Sequence, residues 1–196
     1  MYAFSSAAAS SLEGRHPLQE GVVLVGDGRR FKAFAAFIGQ TFPQADRIVD
    51  VAGGHGDLAF WLHQLGTRPV IVDPRESTFS GRVHRSLRRE AIRTRRLVRI
   101  ERRRVSVEDL DLREFDLVVA LHPDVATEPA LRAALAYSID FAVVPCCVFP
   151  LDGTKRSQAE WLRYLASLGP GIVLTELPIV GANVVLWKRA HDSGPG

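Results

Sequence analysis

Asp50, Gly53, Gly54, Gly56 and Asp73 are residues of this chain whose types and spacing can do chemistry together. Each acid lies in or at the end of a short apolar run, and the glycines between them let a ligand approach the backbone closely, which suits a nucleotide whose ribose diol is gripped by a carboxylate. Farther along, Leu121-His122-Pro123-Asp124 brings a near-neutral base and a carboxylate to the end of another apolar run. His122 can line a ligand pocket, take a proton from a substrate hydroxyl, or only hold its loop. Asp124 can act as base or orient a substrate, yet Asp after Pro is also ordinary turn chemistry. Pro145-Cys146-Cys147 ends a third run. The adjacent thiols cannot readily form an ordinary disulfide, and no Cys/His spacing of the zinc-holding kind exists, so no metal is expected.

The elements that position these residues follow from hydrophobic period. Ile48 to Val51 reads as a buried strand, Gly53 to Gly56 as a turn, and Leu58, Trp61, Leu62 and Leu65 fall at helical spacing from Asp57 onward. Pro69 to Asp73 is a second strand. Before them, Gly21 to Gly26 is a possible short strand and Arg29 to Phe42 a helix with Phe31, Phe34, Ala35 and Ile38 on one stripe. After them, the pattern predicts a helix over Ser80 to Arg96 and an Arg-rich third strand over Leu97 to Val107. A fourth strand follows at Phe115 to Leu121, continuous and apolar as a central parallel strand should be. Thr127 to Tyr137 is a helix opened by Thr127, and Phe141 to Val144 a fifth strand. Ser157 to Leu168 is a helix stopped by Gly169-Pro170, and Ile172 to Leu177 with Asn183 to Trp187 make a last pair.

The segment Asp50-x-x-Gly53-Gly54-x-Gly56 resembles motif I of the class I S-adenosylmethionine-dependent methyltransferases more closely than the G-x-G-x-x-G dinucleotide fingerprint, with Ala52 where that family usually has glycine. The resemblance implies an α/β fold: a Rossmann-like, seven-stranded, mostly parallel sheet with a C-terminal antiparallel hairpin and helices on both faces. It implies S-adenosylmethionine as cofactor. Asp50, Ala52, Gly53, Gly54 and Gly56 would wrap its amino-acid end, Asp73 would hold the ribose, and Ser106 and Val107 would lie beside the adenine. Leu121 and His122 would line the pocket, with His122 and Asp124 nearest the transferred methyl. Leu121-His122, Ala126-Thr127-Glu128 and Pro145-Cys146-Cys147 are similar to segments of a methyltransferase-like subgroup that includes tRNA ribose methyltransferases. Cys147 also stands where pyrimidine-5 methyltransferases carry a thiolate nucleophile, although buried thiols packing together is the simpler expectation.

At 196 residues with 46% apolar composition the chain suits one domain, residues 1 to 196, with a loose arm over 1 to 20 and a tail over 190 to 196. No apolar run is long enough to span a bilayer, and a cytoplasmic protein without a membrane partner is expected. The net charge of +3 conceals an asymmetry: residues 82 to 104 hold eleven arginines against Glu90 and Glu101. Arg85, Arg89, Arg93 and Arg96 recur on one helix face, as binding to an RNA phosphate backbone requires. The expected function is therefore methyl transfer to RNA. A small-molecule acceptor and a methyltransferase-like RNA-binding or assembly factor without turnover are the alternatives. Oligomeric state is left open.

Overall fold

The computed structural model describes residues 28–190. The arm, the expected strand at Gly21 to Gly26 and the tail from His191 lie outside the described residues.

Among the described residues five α-helices and seven strands follow in the order α1 Arg29–Thr41, β1 Arg47–Val51, α2 Asp57–Gln64, β2 Arg68–Val72, α3 Gly81–Thr94, β3 Glu101–Arg103, β4 Leu117–Leu121, α4 Thr127–Ala136, β5 Asp140–Val144, α5 Gln158–Ser167, β6 Val173–Glu176 and β7 Val184–Lys188. The strands form one sheet in the order β3-β2-β1-β4-β5-β7-β6. β1 to β5 run parallel, and β7 enters antiparallel between β5 and β6.

Alternation along the central strands decides which face each residue covers. Ile48 of β1 and Leu117 and Val119 of β4 pack with Phe34 and Ile38 of α1 and Leu58 and Leu62 of α2. Val49, Val51, Val118 and Ala120 face the other way, onto Leu131 and Ala134 of α4 and Trp161 and Leu165 of α5. α3 closes the first face near the sheet edge through Val83 and Leu87, which meet Phe60, Ile71 and Ile100. With both faces covered, the central strands are buried almost throughout, as their unbroken apolar sequences require.

Three sequence expectations need correction here. The third strand spans only Glu101–Arg103 and pairs on one side alone, with β2. Leu97 is 80% exposed, so the apolar residues that suggested a longer strand do not face a core. α3 ends at Thr94 because Arg95 adopts a left-handed conformation with φ of 54°, and Arg96 therefore lies beyond the helix that carries Arg85, Arg89 and Arg93. Thr127 does not accept from the first turn of α4. Its hydroxyl donates to the carbonyl of Asp124 at 2.8 Å and so fastens the turn before the helix. α5, by contrast, opens with a complete capping box between Ser157 and Glu160.

Candidate functional site

Strand order reverses between β1 and β4, and the loops beyond their carboxyl ends meet there. The glycine turn is built on backbone that L side chains avoid. Gly54 and Gly56 have φ of 45° and 76°, and Ala52 shares the left-handed region at 54°. Alanine therefore keeps the backbone course that glycine would take freely, at a strain of about 1 kcal/mol. Gly53 must be small, since a Cβ there would come within 2.5 Å of Asp50 Oδ2. A Cβ at Gly56 would strike the Phe79 ring at 2.8 Å.

Asp50 is buried beneath this turn, and its Oδ2 has no hydrogen-bond partner among the described residues. Burial is the main reason its pKa rises from 3.8 to about 7, and the charge of Asp73 adds to this, while the Ala59 N–H and the charge of Arg102 oppose it. An orphaned carboxylate oxygen under a glycine cradle fits the ammonium and backbone-sized end of an amino-acid ligand.

Asp73, just past β2, is also buried. Its Oδ2 accepts from the Gly54 N–H at 3.2 Å, which ties the second strand's end to the turn. Arg75 takes most of the remaining capacity: its backbone N–H and Nε reach Oδ1 at 2.9 and 3.1 Å, and Nη2 reaches Oδ2 at 3.2 Å. Burial alone would raise the Asp73 pKa, but the Arg75 side chain, the two backbone N–H groups and the Arg75 charge outweigh it and hold the pKa low. A ribose diol fits this carboxylate once the Arg75 side chain, itself 68% exposed, turns away. The cradle and both acids thus fit S-adenosylmethionine.

Beyond β3, Ser106 turns its hydroxyl to Asp109 Oδ2 at 2.9 Å, while Val107 is buried with Leu110 and Leu112 in the core. Val107 thereby contributes core packing, and only its backbone remains for a ligand.

Leu121 pairs with Val144 across β4 and β5, and the His122 N–H continues that ladder to the Val144 carbonyl at 2.9 Å. The segments 122–124 and 145–147 therefore emerge side by side. His122 and Asp124 both sit at positive φ, 55° and 50°. Strained non-glycine backbone on two of the loops that meet here is characteristic of functional sites. His122 Nε2 lies 3.0 Å from the carbonyl oxygen of Ala182. A carbonyl only accepts, so Nε2 carries the proton and Nδ1 keeps the lone pair. Burial, more than the hydrogen bond to Ala182 can offset, lowers the His122 pKa and keeps the ring neutral.

The Cys146 thiol donates to Asp124 Oδ1 at 3.0 Å. Burial, then the Asp124 carboxylate and the neighbouring Cys147, push its pKa up to about 12, so Cys146 is no thiolate near neutral pH. Cys147 is exposed, which corrects the expectation that both thiols pack in the interior. Asp124 also acts electrostatically on Arg75, linking the β4 loop to the clasp at Asp73.

One buried anchor was not foreseen. Glu128 has no exposed surface, and its carboxylate accepts from Arg132 Nε at 2.8 Å, from the Tyr164 hydroxyl at 2.7 Å and from the Leu151 N–H at 3.0 Å. It therefore ties α4, α5 and the loop after Cys147 together behind the site. The arginine at i+4 was the only signal for it in the sequence.

A cavity of about 760 Å³ lies at the opposite end of the sheet, under Phe42, Asp116 and Asp140, where the strands begin. Its position excludes it from the chemistry described here. Among the described residues no helix is long and apolar enough to cross a membrane.

This is the architecture of a class I methyltransferase, and comparison with known proteins agrees. The chain belongs to the methyltransferase-domain family, whose family model matches residues 29–153. Solved structures of the same fold include a candidate O-methyltransferase from Nostoc punctiforme PCC 73102, with 18% identity, a TM-score of 0.52, and coverage of 82% of this chain and 56% of that one. The methyltransferase SibL in its apo form aligns with 15% identity and a TM-score of 0.50 over 84% of this chain and 56% of its own. Magnesium protoporphyrin IX methyltransferase from Synechocystis PCC 6803, solved with S-adenosylmethionine bound, aligns with 14% identity and a TM-score of 0.51 over 83% of this chain and 78% of its own. The chain thus spans little more than half the length of the first two. No curated protein matches the chain by sequence.

Proposed function

We propose that this chain is an S-adenosylmethionine-dependent methyltransferase whose acceptor lies on RNA. The observation that carries the RNA reading is an unpaired arginine surface. Arg85, Arg88, Arg89 and Arg93 on α3, with Arg96 and Arg99 just beyond it, are all exposed and form no ion pair with any described acid. Several arginines elsewhere are matched: Arg47 and Arg103 with Glu114, Arg113 with Asp111, Arg132 with Glu128 and Arg156 with Asp152. Guanidinium groups left open on one surface suit a run of phosphates, each able to take a forked pair of hydrogen bonds.

When bound, S-adenosylmethionine supplies a methyl group already activated on a sulfonium. The chain's own work is alignment and proton removal. Asp50 and the turn at 52–56 would hold the amino-acid end, and Asp73 would take the ribose once the Arg75 side chain turns away. His122 Nδ1, with its lone pair free, accepts the proton that the acceptor hydroxyl or amine loses. Asp124, whose Oδ1 is fixed by Cys146, orients that acceptor. Alignment provides most of the rate in such a transfer, so a weak base suffices.

One observation favours the alternative of an RNA-binding factor without turnover: the carboxylate meant for the ribose is filled by Arg75. A radiolabelled methyl donor given to the protein with total RNA or with a small-molecule extract separates the readings. Label in RNA supports the proposal, label only in the extract favours the small-molecule acceptor, and RNA retention without label favours the factor. Retention should fall steeply with salt. The triple variant R85A/R89A/R93A should lose it, and unchanged retention would reject the docking surface.

A further inference from the structure

The connection between β2 and α3 has two sides. Toward the glycine turn, Ser77 Oγ donates to the Gly54 carbonyl at 2.8 Å, and His55 Nδ1 lies 2.8 Å from the Thr78 carbonyl. On the other side, Ser77, Thr78 and Phe79 combine with His84 and Arg85 of α3 and Arg102 of β3 around a cavity of about 560 Å³. Among the described residues no carboxylate lines it.

Arg102 is held in place within this wall. Its Nη1 donates to Ser77 Oγ at 2.8 Å, and its guanidinium carbon lies 5.4 Å from the centroid of the Phe79 ring. Its Nη2 is buried without a hydrogen-bond partner among the described residues, and the guanidinium also acts electrostatically on Asp50. Arg102 lines the cavity with its position already fixed, so it can meet an oxyanion there without first being ordered. Arg85 folds back over the start of α3, where its Nη1 comes within 3.3 Å of the position a Cβ on Gly81 would take. Neither Arg85 nor His84 is paired with a described acid.

We propose that this cavity is a phosphate pocket that receives a backbone phosphate of the RNA strand. Two guanidinium groups and an imidazole lining one cavity, with no carboxylate among its described lining residues, match a tetrahedral oxyanion, whose oxygens can be shared among several donors, better than a planar carboxylate that one fork would satisfy. The hydrogen bond from Ser77 to Gly54 sets the pocket back to back with the cofactor turn, so a strand anchored here lies alongside the methyl-transfer site. The source of the phosphate rests on the RNA reading above, whereas the pocket stands on its own geometry.

The test titrates inorganic phosphate into the full chain at low salt, with calorimetry as readout. A short single-stranded RNA and adenosine 5′-monophosphate then serve as competitors. Saturable binding is expected, and the double variant H84A/R85A, on an exposed helix face, should weaken it roughly tenfold or more. R102Q should weaken it at least as much. Because Arg102 also holds Ser77, the double variant keeps the proposal falsifiable if R102Q does not fold. RNA should displace the phosphate. No phosphate binding at millimolar concentration, or equal binding by parent and H84A/R85A, overturns the pocket. Displacement by the mononucleotide but not by RNA overturns the RNA source. These binding readouts persist even if no methyl transfer to RNA is found, so failure of the pocket and failure of the activity are distinguishable.

Discussion

Arg75 closes on Asp73 through its backbone N–H and the Nε–Nη2 edge of its guanidinium, so the acid best placed to hold a ribose is occupied by a residue two positions along the same loop. The clasp is half outside: Asp73 is buried, while the Arg75 side chain is 68% exposed and screened by solvent. Opening it should therefore cost little, within the 0.2–1 kcal/mol typical of exposed pairs, or about fivefold at most in affinity. R75A should bind the demethylated cofactor up to about fivefold more tightly. D73A should lose roughly tenfold or more, since it removes a charge-assisted acceptor. Weaker binding by R75A in calorimetry would mean that Arg75 contacts the ligand directly.

The clasp also shows where sequence reasoning stops. β1, the turn and α2 were legible because their period changes within a few residues and local contacts fix the backbone. Glycine at 54 and 56 carried its conformational meaning openly, and Ala52 at positive φ did not. The end of α3 at Arg95 had no glycine to announce it. The extent of β3 was hidden because it is an edge strand that pairs with β2 alone and has no fully buried residue, so no apolar pattern marks its ends. Glu128 is an anchor only through Tyr164 and Leu151, which the fold brings to it. The sequence placed Asp73 at the end of an apolar strand, but its partner Arg75 was hidden, because pairing at i,i+2 depends on the loop's course.

Strain at Ala52 predicts a simple pair of outcomes. A52G should be neutral or more stable by up to about 1 kcal/mol, the relief of the left-handed conformation being offset by the greater freedom of glycine in the unfolded chain. A52V should lose about 1–3 kcal/mol, because a branched side chain tolerates that region worse. Denaturant unfolding measures both, and an A52V protein as stable as the parent would contradict the conformation assigned to residue 52.

Asp50 predicts a pH dependence of definite sign. Its folded pKa of about 7 lies above the ordinary 3.8, so the folded state holds this proton more tightly than the unfolded chain does. The stability it contributes is complete below pH 4 and is lost as pH rises through about 7. D50N should therefore be more stable than the parent above pH 7, with a flatter profile between pH 4 and 7. A parent profile unchanged by D50N over that window would show that Asp50 is not buried as described. If an ammonium group does pair with Asp50, ligand binding near pH 7 should release protons, read as a buffer-dependent calorimetric enthalpy.

Glu128 predicts the opposite slope. Burial would raise its pKa, but the Leu151 N–H, Tyr164 and Arg132 outweigh burial and lower it. Its contribution is present above the ordinary carboxylate pKa and is lost as pH falls through the folded value. E128Q should reduce stability by about 2 kcal/mol near neutral pH, the scale of hydrogen bonds to a charged acceptor. Proteolysis should also speed up in the loop at 148–156, which Leu151 anchors. Unchanged proteolysis would remove Glu128 as the support of that loop.

The proposed site for S-adenosylmethionine is the cradle over Asp50 together with the acid at Asp73. Calorimetric titration of the full chain with S-adenosylmethionine and with its demethylated product tests it most directly, with D73A as the control. Saturable one-to-one binding of both ligands, weakened roughly tenfold or more in D73A, is the predicted result. No heat and no thermal stabilisation with either ligand at millimolar concentration would contradict it.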